Sequence, residues 1–195
     1  CILTHARPDG DTIGSASALC VGLRLLGKTA HVLNNMQASP FLSRCLLGLT
    51  VDTPADTDTL ISVDVASPHL FPTRHQQYLS RIALRIDHHA TATSFTPAEY
   101  VDASSAACGE IIYELLMDMG AKMTKEIAWR LYIAISTDTG CFRYSNTTAH
   151  TYRVAAACAE TGADLYPITQ ELFDTTSISE LKLQNWIVEH AQFLC

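Results

Sequence analysis

His5-Ala6-Arg7-Pro8-Asp9-Gly10-Asp11, followed by Gly14 and Ser15, closes an apolar opening segment and decides how the rest of the chain is read. The stretch places one imidazole and two carboxylates within seven residues, where a strand turns into a helix. Such groups can hold a hard or borderline divalent cation through nitrogen and oxygen. Alone they would carry little, because Asp and Gly are ordinary turn residues and Asp is a common helix N-cap. Three further acidic or His-bearing segments at comparable structural positions change that reading.

Around the opening motif the chain alternates strand and helix. Cys1–Thr4 reads as the tail of a buried strand. Thr12–Leu26 carries Ile13, Ala16, Cys20 and Leu23 at helical spacing, and Gly27 is its stop. Thr29–Leu33, Leu60–Val65 and Ile82–Ile86 read as strands, and Glu99–Val101 as a short edge strand. Helices follow over Ser105–Met119, Lys125–Ser136 and Thr148–Glu160. A last helix opens on the capping box Ser177-x-x-Glu180. This alternation predicts an α/β fold, a mostly parallel β-sheet flanked by helices. The terminal helix carries Leu183, Trp186, Ile187, His190 and Leu194 on one side, a stripe that suits either packing on the parent domain or a connector.

Bulk properties narrow the function classes. At 195 residues the chain can bury one sizeable core. A net charge of −7 argues against a surface for duplex DNA, which is bound by neutralising phosphates with Lys and Arg. A small phosphorylated substrate is not excluded, since bound cations reverse the local sign. No apolar run approaches the roughly 20 residues that cross a bilayer, and no basic-then-apolar signal peptide is expected in this stretch. The seven cysteines are an odd number without close pairs, so a reducing cytoplasm is expected and zinc ribbons are not. Because the chain opens on Cys1 rather than Met, a fragment of a longer protein is expected.

In parallel α/β sheets, ligands gather beyond the carboxyl ends of the strands. His5, Asp9 and Asp11 follow the first strand. Asp64 ends the next central one, in Ser62-Val-Asp64-Val-Ala-Ser67, and Asp87-His88-His89 follows Arg85-Ile86 directly. Asp138, in Ser136-Thr-Asp138-Thr-Gly140, lies near a helix C-terminus, where the dipole favours cations. Each has an ordinary reading as a turn, packing or surface residue; taken together they would require four separate coincidences. Mixed imidazole and carboxylate donors suit manganese, or alternatively magnesium, better than structural zinc. The carboxylates exceed what one ion needs. Two ions about 3.5–4 Å apart could share one and activate water for in-line attack on phosphorus.

In order and residue type these segments resemble the four motifs of the DHH phosphoesterase family, named for its Asp-His-His triplet. His5, Asp9, Asp11, Gly14 and Ser15 match the first motif, Asp64 the second, Asp87-His88-His89 the third and Asp138 the fourth. The resemblance implies a Rossmann-like domain with one metal held by His5, Asp9 and Asp64, and a second by Asp11, Asp64, His88 and Asp138. It further implies that His89 faces the phosphate or leaving group and that Asp87 orients a neighbouring imidazole, so Asp64, Asp87 and His89 are the candidate catalytic residues. The run from Thr137 to Thr147 and the first motif look most like the bifunctional branch, which degrades very short RNA and removes a phosphate from adenosine bisphosphate (pAp). On this resemblance residues 1–175 form the metal-binding catalytic domain. Residues 176–195 form a connector to a second domain, whose Gly-rich, His-containing stretch has no match here.

The expected activity is therefore a cytoplasmic, two-metal phosphoesterase acting on a small nucleotide or short single-stranded oligonucleotide, with Mn2+ preferred and Mg2+ as the alternative. No membrane partner is expected, and a homodimer is left open. The competing readings are a family II type inorganic pyrophosphatase or exopolyphosphatase, and a noncatalytic metal-loaded nucleotide-binding module. Arg7 and Arg143 flank the motifs and could pair with substrate phosphates, with salt bridges as the plainer alternative. Ser104 and Ser105 are expected to cap the following helix. His150 is expected to be structural, and His31, His69, His75 and His190 are given no role.

Overall fold

The computed structural model describes residues 1–91 and 93–192. Its strands are β1 (Ile2–Leu3), β2 (Val32–Leu33), β3 (Thr50–Val51), β4 (Leu60–Val63), β5 (Ile82–Asp87) and β6 (Ala98–Val101). They form one sheet in the order β3-β2-β1-β4-β5-β6, and every pair is parallel. The helices are α1 (Gly10–Leu25), α2 (Pro40–Ser43), α3 (Cys108–Asp118), α4 (Lys125–Asp138), α5 (Ala149–Glu160), α6 (Tyr166–Thr169) and α7 (Ile178–His190). The expected parallel α/β architecture is what the chain adopts.

Side-chain alternation sorts the strands' apolar residues onto two faces. Ile2, Val32 and Val63 join the core beneath α1, α3 and α4, whereas Leu3, Leu33 and Leu60 face the other way. On that second face the cover is thin. Phe71, Val65 and Ile82 pack there with Tyr78, Leu79 and Phe95, drawn from a 3-10 segment at Thr73–Arg81 and from loops. The register slips where Leu60 pairs with Ile82 and Ile61 with Leu84. That extra residue puts Ile82 on the thin face and Leu84 and Ile86 on the helical face, as a bulge does.

α1 is the central helix and is buried on nearly every side from Gly10 to Cys20. Its sequence is accordingly rich in small residues rather than striped, and its buried polar side chains Thr12, Ser15 and Ser17 are hydrogen-bonded. Gly14 sets its distance from α4. A Cβ there would lie 2.5 Å from the Arg130 carbonyl oxygen and 2.9 Å from the Ala134 nitrogen, so the two backbones could not approach as they do.

Some local expectations change. α3 begins at Cys108 rather than Ser105, and its N-cap, Ala107, provides no side-chain cap. Ser104 and Ser105 do not cap it; both hydroxyls donate to Asp102 instead. α7 does open with the expected capping box, but Leu183, Trp186 and Ile187 are exposed, so its stripe is not packed on the domain. Leu194 of that stripe lies outside the described residues. Among the described residues, no helix is long and apolar enough to cross a membrane.

Candidate metal centre

The strand order reverses direction between β1 and β4, where the chain leaves β1 toward β2 on one side and β4 toward β5 on the other. A crevice opens outside the carboxyl ends of strands at such a switch point. The turn after β1 delivers His5, Asp9 and Asp11 to this crevice, and the residue after β4 delivers Asp64. β5 ends on Asp87, with His88 and His89 beyond it, and Asp138 is the last residue of α4. Asp9 is also the N-cap of α1, its carboxylate accepting the Thr12 N–H at 3.0 Å.

These side chains fall into groups whose donor atoms lie within 4.8 Å of one another: His5, Asp9 and Asp64; Asp11, His88 and Asp138; and Asp64, His88 and His89. His5 Nε2 stands 3.8 Å from Asp9 Oδ2 and 3.9 Å from Asp64 Oδ2. His88 Nε2 stands 3.5 Å from Asp11 Oδ2, 3.6 Å from Asp64 Oδ1 and 3.3 Å from Asp138 Oδ2. Such contacts are too long for good hydrogen bonds. They match ligands sharing an ion, which sit about 3 Å apart or slightly more when each bond is about 2.1 Å. Asp64 turns one oxygen toward each group.

The imidazoles are prepared in the same sense. His5 Nδ1 lies 2.7 Å from the Ala6 carbonyl and His88 Nδ1 lies 3.3 Å from the Ser105 carbonyl. Protons on those nitrogens leave Nε2 free in both rings, which is how metal-binding histidines are usually held. Among the described residues, buried His88 Nε2 and Asp64 Oδ1 have no hydrogen-bond partner. Orphaned buried polar atoms of this kind call for a missing ligand.

Electrostatics agree. Burial and the neighbouring Asp64 and Asp138 hold the Asp11 carboxyl well above its usual range. Burial, with Asp9 beside it, pushes Asp64 up to about 6. Burial opposes charge on His88, yet Asp138, Asp11 and Asp64 overcome it and raise the imidazole to about 10. Four carboxylates, Asp9, Asp11, Asp64 and Asp138, would balance two divalent cations, and without cations they repel one another. Asp138 adds to the strain by standing at the negative end of the α4 dipole.

Asp64 adopts a left-handed backbone with φ 58°. A non-glycine residue there is strained, and such strain concentrates at functional sites. Arg7 shares the feature, with φ 53°. It lines a cavity of about 400 Å³ with His5, Asp9, Asp64 and His89. Arg143 is placed differently: its Nε donates to the Gly140 carbonyl at 2.6 Å and its guanidinium lies 5.8 Å from the Phe173 ring.

Asp87 is fully buried and serves the triplet itself. Its Oδ1 accepts the backbone N–H of His88 at 2.8 Å and meets His89 Nδ1 at 2.7 Å. Burial works against its charge, but His89 and these bonds leave it below the usual carboxylate range. The bond to Asp87 in turn raises His89. Arg85, buried beside them, stands 3.9 Å from Asp87 and 3.1 Å from Glu99.

Several supporting residues carried no sequence signal, Ser15 of the first motif excepted. Thr12 donates its hydroxyl to Asp64 Oδ2 at 2.5 Å, and Ser15 donates to Asp11 at 2.7 Å. Asn35 donates to the His5 carbonyl at 2.7 Å, and Asn146 to the Asp138 carbonyl at 3.0 Å. Hydroxyls and amides are common everywhere, and only the fold shows which of them face a carboxylate.

A parallel sheet whose switch point gathers carboxylates and imidazoles around unpartnered donor atoms defines an α/β domain with side chains that could hold divalent cations. The chain belongs to the DHH family: the family model described as "DHH family, N-terminal domain" matches residues 1–135. It is 35% identical over 173 residues to the bifunctional oligoribonuclease and PAP phosphatase NrnA of Thermus thermophilus, covering 88% of this chain and 52% of that protein. It is 30% identical over 195 residues to the Bacillus subtilis protein of the same name, covering 95% of this chain and 60% of that protein. The chain thus spans little more than half the length of these curated relatives. Among solved structures, an exopolyphosphatase-related protein from Bacteroides fragilis superposes with a TM-score of 0.80 at 21% identity, covering 99% of this chain and 61% of that one. At that identity the likeness concerns the fold.

Proposed function

We propose that this chain is the catalytic metal-binding part of a phosphoesterase that hydrolyses short oligonucleotides or the terminal phosphate of a small nucleotide such as pAp. The observation that carries the reading is Asp64, whose two oxygens face two different donor groups 3.6–3.9 Å away. His5, Asp9 and Asp64 would hold one ion, and Asp11, Asp64, His88 and Asp138 the other. Nitrogen and oxygen donors without thiolate favour Mn2+, with Mg2+ next. Bound ions would supply Lewis-acid stabilisation and an acidified water for in-line displacement at phosphorus.

The chain's own residues do the rest. Asp87 fixes the ring of His89, which stands at the cavity and is placed to give a proton to the departing oxygen. Arg7, at the mouth, supplies a positive charge for a non-reacting phosphate. The relatives' names support the nucleotide reading over pyrophosphate hydrolysis. Residues 1–175 form the catalytic unit in this reading and 176–195 the connector, consistent with the exposed α7. The six described cysteines are free, as a reducing cytoplasm would have them.

The test is a side-by-side assay of a dinucleotide, pAp and pyrophosphate with Mn2+, using this chain and a longer form that carries downstream sequence. Hydrolysis of the first two is expected from the longer form and only poorly from this chain alone, and Asp64→Ala in the longer form should abolish it while circular dichroism stays unchanged. Turnover of pyrophosphate alone, or near-normal turnover by Asp64→Ala, would overturn the reading.

A further inference from the structure

Two consecutive peptide groups in the turn after β1 are each gripped at both ends. The His5–Ala6 peptide accepts from Asn35 Nδ2 at 2.7 Å through its oxygen and donates to the Leu70 carbonyl at 2.6 Å through its N–H. The Ala6–Arg7 peptide meets His5 Nδ1 at 2.7 Å through its oxygen and donates to Gln37 Oε1 at 2.8 Å through its N–H. A peptide group is a rigid plane, so a bond at each end fixes its orientation.

The turn needs this support. Arg7 holds a φ of 53°, although Pro8 follows and a residue before proline favours extended backbone. Local preference opposes the conformation, and bonds from outside the turn maintain it. Two of those bonds come from one segment, residues 34–39, between β2 and α2.

That segment is firmly footed. The Asn34 N–H donates to the Val51 carbonyl at 2.8 Å, extending the pairing of β2 with β3, and its side-chain amide donates to Asp52 at 2.9 Å. Asn35 is 4% exposed, and its Nδ2 also donates to Thr4 Oγ1 at 3.0 Å while its Oδ1 accepts the Gln37 N–H at 3.2 Å. Its amide group thus spends both donors and its oxygen within the fold. An Asp here would set an acceptor against the His5 carbonyl.

We propose that the 34–39 segment positions the metal centre from outside it: Asn35 sets His5 for the cation shared with Asp9 and Asp64, and Gln37 sets Arg7 for a substrate phosphate. The roles of His5 and Arg7 rest on the phosphoesterase reading above. Asn35 and Gln37 are positioning residues, each acting through another side chain. His5 would be one of three residues on its cation, so releasing its peptide loosens that ion and spares the one at Asp11, His88 and Asp138. Arg7 would meet substrate rather than metal, so releasing its N–H acts on substrate binding.

Mn2+ titration of this chain, followed by the electron paramagnetic resonance of the free ion, tests the first half. Wild type should bind two ions. Asn35→Asp keeps the size of the side chain and the acceptor for Gln37 but loses both donors; it should weaken one ion by about tenfold and leave the other unchanged. Added to His5→Ala, it should weaken that ion no further. Dinucleotide kinetics of the longer form at saturating Mn2+ test the second half. Gln37→Met, at an exposed position, removes the acceptor; it should raise KM by about threefold with kcat nearly unchanged, and should not add to Arg7→Ala. Circular dichroism checks folding, and the exposed Gln37→Met decides the matter should the buried variant misfold. Equal weakening of both ions, full additivity with His5→Ala or Arg7→Ala, or variants that match wild type would overturn the inference. Selective loss of one ion without hydrolysis of any dinucleotide by the longer form sinks the enzyme and leaves the grip on His5; hydrolysis with additive variants does the reverse. Fewer than two ions on wild type would sink the metal reading and the inference with it.

Discussion

The carboxylate of Asp11 closes the N-terminus of α3 by accepting the backbone N–H of Cys108, 2.6 Å away and 97 positions later in the chain. The same carboxylate accepts the Gly109 N–H at 3.0 Å and the Ser15 hydroxyl at 2.7 Å. A single side chain thus caps a helix, ties α1 to α3 and faces the proposed metal. Asp11→Ala should therefore destabilise even the metal-free protein, by about 1–3 kcal/mol, through the lost cap and two buried N–H groups without acceptors. Asp11→Asn keeps one acceptor and relieves repulsion from Asp64 and Asp138, so its cost should be smaller. Urea denaturation with chelator present measures both. Equal stability of wild type and Asp11→Ala would show that the cap is energetically idle.

Metal binding should depend steeply on pH, with a sign fixed by Asp64. Its carboxyl is raised to about 6 in the fold by burial and by Asp9. Between about 4 and 6 the unfolded chain has lost this proton while the fold retains it, so the metal-free protein loses stability as pH rises through that window. Divalent ions cancel the penalty. Manganese should therefore raise the melting temperature strongly at pH 7.5 and little at pH 5. His88, raised to about 10, is protonated at pH 7.5 without metal and must shed that proton to become a ligand. Calorimetry in buffers of different ionisation enthalpy should register release of about one proton from this site. Binding that neither releases protons nor weakens toward pH 5 would argue against ligation by Asp64 and His88.

The clustering was legible in the sequence because it follows strand ends. His5, Asp9 and Asp11 mark a strand–turn–helix boundary, and Asp64 and Asp87-His88-His89 sit where apolar runs stop, so parallel topology alone brings them to one edge. Other features left no local trace. β3 is two residues long, and the 3-10 cover at Thr73–Arg81 lacks the period of a helix. At α3 the local signal misled: Ser104-Ser105 resembles a cap, but the acceptor comes from Asp11 on another helix. α7 was ambiguous for a different reason, since an apolar stripe does not say what covers it. Glu110 reads as an ordinary first-turn acid and shows its unpartnered oxygen only in the folded chain.

His75 gives the fold an acid sensitivity separate from the metal centre. It is 1% exposed, and its Nε2 accepts from Arg74 Nε at 3.1 Å. Burial, then the Arg74 charge, lowers its pKa to about 4. The unfolded chain takes up this proton near pH 6.5 while the fold resists until about pH 4, so stability falls as pH drops between those values. The loss is on the order of 3 kcal/mol at most. His75→Gln removes the titration. The difference in unfolding free energy between wild type and variant should shift in that direction from pH 7 to pH 4.5, and a difference that stays flat would place His75 in contact with solvent protons.

Arg7 and Arg143 should separate kinetically, although the sequence treats them alike. Arg7 lines the cavity shared by His5, Asp9, Asp64 and His89, and among the described residues only its backbone is engaged, its N–H donating to Gln37 Oε1 at 2.8 Å. Arg143 spends its Nε on the Gly140 carbonyl and rests against Phe173. A charge-assisted contact to a substrate phosphate is thus open to Arg7 without rearrangement. Arg7→Ala should raise KM for a dinucleotide by about tenfold with kcat changed much less, because the contact is made equally in ground and transition states. Arg143→Ala should raise KM by no more than about threefold and act instead on thermal stability, through the Gly140–Phe142 turn that its side chain braces. Comparable KM increases for both variants would mean that the Arg143 guanidinium leaves Phe173 to meet the anion, and the static placement of that side chain would then be the wrong guide to its work.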